Sequence, residues 1–265
     1  ADIIRQSMTD ALSWCDRIGV VDNGSTDGTY EIIQDLADEH PRRFELCGVH
    51  DVAFNNDLRR IPFQALREEA AEGDWWCRLD ADEFYPVDPR SFLQEKVRPH
   101  EYVVWSAHLQ YYYTDKDYEQ WKAGEETLED RERPIQERRR YYQSNASEER
   151  FIQHRPGLVW EEGCSWPYHI GPVAEKRIPV QHFIYRDPEQ IKQRLATRRQ
   201  AYEKGHHRWE MNDPQNWKDK IVNASSLQYD KLDGNFLIEE HLMPHHRDSW
   251  PRRIAKRIFH GVGLW

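Results

Sequence analysis

A chain of 265 residues with 38% hydrophobic content is long enough to bury a real core and sits at the upper size limit for one domain. Its formal net charge of -10 argues against a phosphate-backbone binder, which needs a basic surplus to displace counterions, so nucleic acid is not an expected partner. Four widely spaced cysteines (Cys15, Cys47, Cys77 and Cys164) contain no CxxC pair and fit a reducing, cytoplasmic compartment; no run reaches transmembrane length and no leader is visible.

The first half alternates helix and strand signals. "ADIIRQSMTDALSWC" has helical spacing of apolar residues, and "RIGVVD" reads as a short buried strand ending at Asp22. A helix follows from Thr29 to Glu39 and stops at Pro41. "RFELCGV" is the next strand, "DLRRIPFQALREEAAEG" the next helix and "WWCRLDAD" a third strand. This rhythm gives βαβ units and predicts an α/β fold with an open, mostly parallel sheet flanked by helices.

Beyond Pro86 the alternation weakens. Tyr102 to Tyr113 reads as a long strand, whereas Thr114 to Arg150 is strongly charged, has little apolar periodicity and reads as an insertion or flexible loop. Strand signals return in "RFIQH", "GLVWEE" and "RIPVQHFIY". "RDPEQIKQRLATRRQAYEK" then opens a helix, with Asp187 as N-cap, Pro188 at the first helical position and Gln190 completing a capping box. The tail "WPRRIAKRIFHGVGLW" is a basic amphipathic helix, open to two readings: peripheral contact with an anionic membrane, or docking on the domain by its apolar face.

The chemistry concentrates in two stretches. In an extended segment Asp80 and Asp82 point the same way, and two such carboxylates repel unless a cation sits between them. A divalent ion such as Mg²⁺ or Mn²⁺ would remove the conflict; the competing reading is a solvated acidic turn, which is commoner on spacing alone. Asp22 and the Asp80/Asp82 pair both fall at the C-terminal ends of expected strands, where open α/β sheets place ligands. The second stretch, "VVDNGSTDGT" at 20–29, runs from strand through polar turn to helix start and alone would pass for turn and capping chemistry.

Taken together, "VVDNGSTDGT" and "GDWWCRLDADEF" closely resemble the nucleotide-sugar-binding half of family 2 glycosyltransferases, which have the GT-A fold. The likeness covers residues 1 to about 86 and continues more loosely through "VQHFIYRDPEQIKQRLATRR". It implies a GT-A-like catalytic domain over 1–205, with a nucleotide-sugar half (1–86) and an acceptor half (87–205) carrying the charged insertion 114–150, followed by a helical C-terminal extension (206–265). It further implies a metal-dependent, inverting transfer from a nucleoside-diphosphate sugar, a UDP-sugar first among them, to a hydroxyl of a glycan, polysaccharide or glycolipid. Asp22 and Asn23 would contact the nucleotide, Asp80 the ribose and metal, and Asp82 would be the principal ligand of Mn²⁺ or Mg²⁺, with His182 a further metal or diphosphate contact. Arg59 and Arg60 are placed to reach the phosphates, although surface salt bridging is the commoner fate of such a pair. Glu161 and Glu162 are the candidate general bases, with His169 as rival; Trp160 and Trp166 either stack on the acceptor or pack in the core. Family members begin with a further strand upstream, so the sequence is expected to lack its upstream end. A sugar nucleotidyltransferase would want a Gly-rich, basic N-terminal loop; a non-catalytic carbohydrate-binding module would not need the carboxylates.

Overall fold

A computed structural model describes residues 2–52, 54–168, 171–203 and 213–264. Helix α1 (Ile4–Trp14) turns Ile4, Met8 and Ala11 inward at helical spacing. Strand β1 (Ile18–Asp22) pairs in parallel with β2 (Phe44–Val49), and α2 (Thr29–Glu39) crosses between them. Ile4, Met8, Ile33, Leu36 and Phe44 close a small core over this unit. Helix α3 (Asp57–Leu66) lies so close to β1 that a Cβ on Gly19 would fall 2.8 Å from Cβ of Pro62. Only glycine admits that approach.

The expected parallel sheet ends there. Strand β3 (Trp75–Cys77) does not extend the β1–β2 pair but joins a second sheet, pairing antiparallel with the later strand Glu149–Gln153. The turn after β3 leads into β4 (Glu83–Phe84), and α4 (Pro89–Lys96) starts at Asp88, whose carboxylate accepts from the Ser91 amide at 2.9 Å. Sequence reading missed α4 although its Asp-Pro start is a helix signal. The buried spine of the second sheet is β5 (Val103–Tyr111).

The charged stretch expected to be an insertion or loop is ordered secondary structure instead. Helix α5 (Asp115–Ala123) begins with a full capping box between Thr114 and Asp117 and ends on Gly124 at φ 72°. After a short 3₁₀ turn come α6 (Ile135–Arg138), β6 (Tyr141–Ala146) and β7 (Glu149–Gln153). The charges are paired inward rather than solvated. Arg139 is 1% exposed and bonds Glu126 at 2.6 and 3.1 Å, lies 3.5 Å from Asp117, and sits over the Tyr113 ring at 4.9 Å. A hydropathy window counts such residues as polar and sees no core.

Strands β6 and β7 run antiparallel along one side of β5, and β8 (Ile178–Phe183) runs parallel along the other. β4 adds to β8. The larger sheet is thus mostly antiparallel, with β5 and β8 paired in parallel. "GLVWEE" is not a strand: residues 157–162 form a turn and irregular backbone, with Leu158 and Trp160 buried and Val159 46% exposed. That alternation mimics a strand without a ladder.

Helix α7 (Pro188–Glu203) starts as expected, with Asp187 accepting from the Gln190 amide at 2.9 Å. Beyond it, residues 206–212 of the expected helical extension lie outside the described residues. The remainder is not purely helical, since β9 (Gln228–Tyr229) pairs with β6 and Trp217 packs with Tyr113, Tyr185, Ile191 and Leu195. The last helix, α8 (Trp250–Gly261), buries none of its residues. Among the described residues no helix is long and apolar enough to cross a membrane.

Arg139→Ala leaves Glu126 and Asp117 buried without their guanidinium and is expected to lower stability by about 3–5 kcal/mol in a urea titration. A loss below about 1 kcal/mol would mean that the charged stretch contributes no buried pair.

Candidate active site at the acidic turn

Asp22 ends β1 with 4% exposure, and its Oδ1 accepts from the amides of Gly24 at 2.9 Å and Ser25 at 2.8 Å. The carboxylate folds the polar turn that follows. The Asn23 amide donates to the carbonyls of His50 at 2.8 Å and Val52 at 2.6 Å, tying this turn to the chain leaving β2. Both residues shape the end of the parallel pair.

The chain leaves β3 at Cys77, and a bond from the Glu83 amide to the Asp80 carbonyl (3.1 Å) closes a turn. Asp80 and Asp82 therefore sit on a turn rather than on the extended strand expected, and they face different cations. Nη2 of Arg59 donates to both Asp80 oxygens, at 2.8 and 3.0 Å. Asp82 lies 3.4 Å from His182 Nε2, 3.7 Å from Arg186 Nη1 and 3.8 Å from Arg194 Nη1. Glu83 is fully buried; it bonds Arg150 and accepts from the Asp80 amide at 3.0 Å.

The electrostatics follow from these partners. Burial pushes the Asp80 carboxyl up, but Arg59, Arg150 and Arg78 outweigh it and bring the carboxyl down to about 2. Burial also works against the charged form of Asp82, yet His182, Arg194 and Arg186 hold it well below the usual carboxylate range. For Glu83 burial wins over Arg150 and raises the group to about 7. Burial opposes the imidazolium of His182, but the facing Asp82 raises that ring above its ordinary value. His108, buried beside Arg150, is driven well below its own.

Two settings could hold a cation. Glu83, His108 and His182 offer ligand atoms within 4.8 Å of one another. Arg150, however, bonds Glu83 and places Nη2 at 3.1 Å from His108 Nε2, so a guanidinium already supplies the positive charge there. Asp82 and His182 suit a divalent ion better: an Asp82 oxygen and His182 Nε2 face each other at 3.4 Å, and the other ring nitrogen, Nδ1, is buried with no hydrogen-bond partner.

The remaining expected residues are more dispersed. Arg60 Nε lies 3.5 Å from Asp57, so Arg59 rather than Arg60 meets the acidic turn. Glu161 and Glu162 are exposed on the loop after β7, which the Gly163 amide pins to Asp57 of α3 at 2.8 Å. Trp160 and Trp166 are buried, edge to face at 5.6 Å, with Phe63 5.7 Å from Trp160, so they pack in the core instead of offering a stacking face. His169 lies outside the described residues. Sequence reading missed Arg150, His108, Arg186 and Arg194; the signal for Arg150 was a charge inside an apolar strand run, "ERFIQ".

Asp80 has a folded-state pKa below its unfolded value, so its contribution is present above about pH 4 and lost as pH falls through 2. Its side chain is 36% exposed, and screening leaves about 1 kcal/mol. Asp80→Asn is expected to lower stability by that amount at pH 7, the difference narrowing as pH drops below 4 in denaturant titrations. A difference independent of pH would refute the Arg59 pairing as its source.

The sequence model described as glycosyl transferase family 2 matches residues 1–154, from α1 through β7, and includes Asp22, Asp80, Asp82, His108 and Arg150. No curated protein matches the chain. With more than half of its length matched, and with a mixed α/β fold that sets the acidic turn beside the end of β8, the chain belongs to the family 2 glycosyltransferases.

Proposed function

We propose that the protein moves a sugar from a nucleoside-diphosphate sugar, a UDP-sugar first among the candidates, to a hydroxyl of a glycan, polysaccharide or glycolipid, with inversion and with Mn²⁺ or Mg²⁺. One observation carries the reading: Asp82 faces His182 at 3.4 Å and stands near Arg186 and Arg194 at 3.7 and 3.8 Å, the two guanidiniums further than direct hydrogen-bond contact. A carboxylate loosely ringed by cationic side chains is suited to sharing them with an incoming diphosphate. Asp82 and His182 would hold the ion, which supplies Lewis-acid stabilisation of the departing diphosphate.

The chain's own groups do the rest. Arg186 and Arg194 present N–H donors to the diphosphate oxygens and offset the charge that builds up there as the bond to the sugar breaks. Asp80, kept ionised by Arg59, accepts from ribose hydroxyls. Asp22 and Asn23 position the turn against which the base lies. Glu161 or Glu162, on the loop pinned to α3, takes the proton from the acceptor hydroxyl as it attacks the face opposite the leaving group. Attack from that face inverts the anomeric centre.

Incubation with Mn²⁺ and a panel of nucleotide sugars is expected to release free nucleoside diphosphate, and a chelator to stop it. Asp82→Asn should lower kcat on the order of 100-fold while circular dichroism at the assay temperature still shows the folded protein. Turnover within about twofold of the parent, or full activity in the chelator, would refute the assignment of Asp82 and of the metal. Glu161→Gln and Glu162→Gln separate the two candidate bases: the one that acts should lower kcat by roughly 100-fold and leave donor KM in place.

A further inference from the structure

The apolar side of α8 faces outward. Trp250 is 76% exposed, Ile258 60% and Val262 65%, with Ile254 and Phe259 beside them. The four-residue spacing puts them on one stripe. The opposite, basic side holds the helix to the body: Arg253 pairs with Glu101 and with Glu175 (2.8 Å), and Lys256 reaches Asp248 (2.9 Å) and the Gly171 carbonyl (3.3 Å). His260 stacks on Tyr102 at 3.7 Å. This reverses the docking by the apolar face that an amphipathic helix ordinarily adopts.

Just before α8, a cavity of about 400 Å³ is lined by Arg177, Glu240, His241, His245, His246 and Arg247. Glu240 and the Pro244 carbonyl engage Arg177, while Arg247 is exposed. His246 is 7% exposed, and its Nε2 has no hydrogen-bond partner. Burial lowers the ring to about 4, with Arg177 and Arg247 adding to it and Glu240 opposing. A cavity bearing the exposed Arg247, in the segment that leads into α8 and its exposed apolar stripe with Trp250, matches the two ends of an anionic amphiphile.

We propose that α8 and this cavity dock the protein on an anionic lipid surface, the stripe entering the acyl boundary and a phosphate headgroup seated among Arg247 and His246. A second copy fits the stripe less well. Two-fold pairing would bring Arg257 of both helices toward one seam, and α8 has no acidic residue to meet it, Arg252 being paired with Asp248 at 3.4 Å. The docking stands on α8 and the cavity alone and is independent of the transfer reaction.

Co-sedimentation of the full chain with vesicles tests it, using phosphatidylcholine alone and phosphatidylcholine with phosphatidylglycerol. Binding is expected only with phosphatidylglycerol, weakening with salt. The double variant I258D/F259D and the single variant Arg247→Glu should each cut partitioning at least about tenfold with an unchanged unfolding temperature. Absence of binding, or variants that sediment like the parent, would overturn the proposal. So would displacement by millimolar inorganic phosphate with I258D/F259D binding normally, which assigns the cavity to free phosphate. A dimer in sedimentation velocity that Ile258→Asp abolishes would give the stripe to a second copy and overturn it likewise.

Discussion

Three carboxylates within four residues, Asp80, Asp82 and Glu83, hold together because each meets a different cation of the chain itself. Two unit charges about 4 Å apart repel by about 4 kcal/mol at a dielectric of roughly 20, so an uncompensated turn of this kind would open or take up protons. The compensation is drawn from separate elements: Arg59 from α3, Arg150 from β7, His182 from β8, Arg186 from the link between β8 and α7, and Arg194 from α7. The turn is therefore the point where the larger sheet meets two helices. Arg186 carries the network onward, since its guanidinium also bonds Asp2 at 2.7 and 2.9 Å and its carbonyl accepts from Arg139 at 2.6 Å.

The three pairs are unequal, and the inequality divides labour. Glu83 and Arg150 are sealed from solvent, and such a pair gains little stability over an apolar substitute; its effect is to fix β4 and β7 in one relation. Asp80 is held by direct hydrogen bonds but stays partly exposed. Asp82 faces several cations at longer range. A turn evenly saturated by its arginines would have no group left for chemistry.

What could be read in the sequence depended on whether the physics was local. The β1–α2–β2–α3 unit followed from apolar periodicity, and the strand-end position of Asp22 came with it. Strand direction beyond β3 could not follow, because it is set by which edge each strand pairs with. The stretch from Thr114 to Arg150 was opaque for another reason: Arg139, Glu126 and Asp117 become core residues only through one another, which no single-residue scale registers. The acidic motif was legible, but its partners were not. Arg150 and His108 lie 67 and 42 positions from the groups they meet, Glu83 and Arg150 respectively.

Helix α3 links the two sides of the site. Asp57 and Arg59, two residues apart on a helix, point roughly 200° away from each other. Asp57 takes the Gly163 amide of the loop bearing Glu161 and Glu162, while Arg59 takes Asp80. The contact between Pro62 and Gly19 presses the same helix against β1, whose end carries Asp22. The loop, the acidic turn and the Asp22 turn are thus referenced to one rigid element. A displacement of α3 by even one side-chain volume at Gly19 would shift all three together, so a residue with no contact to any of these carboxylates has leverage over their spacing.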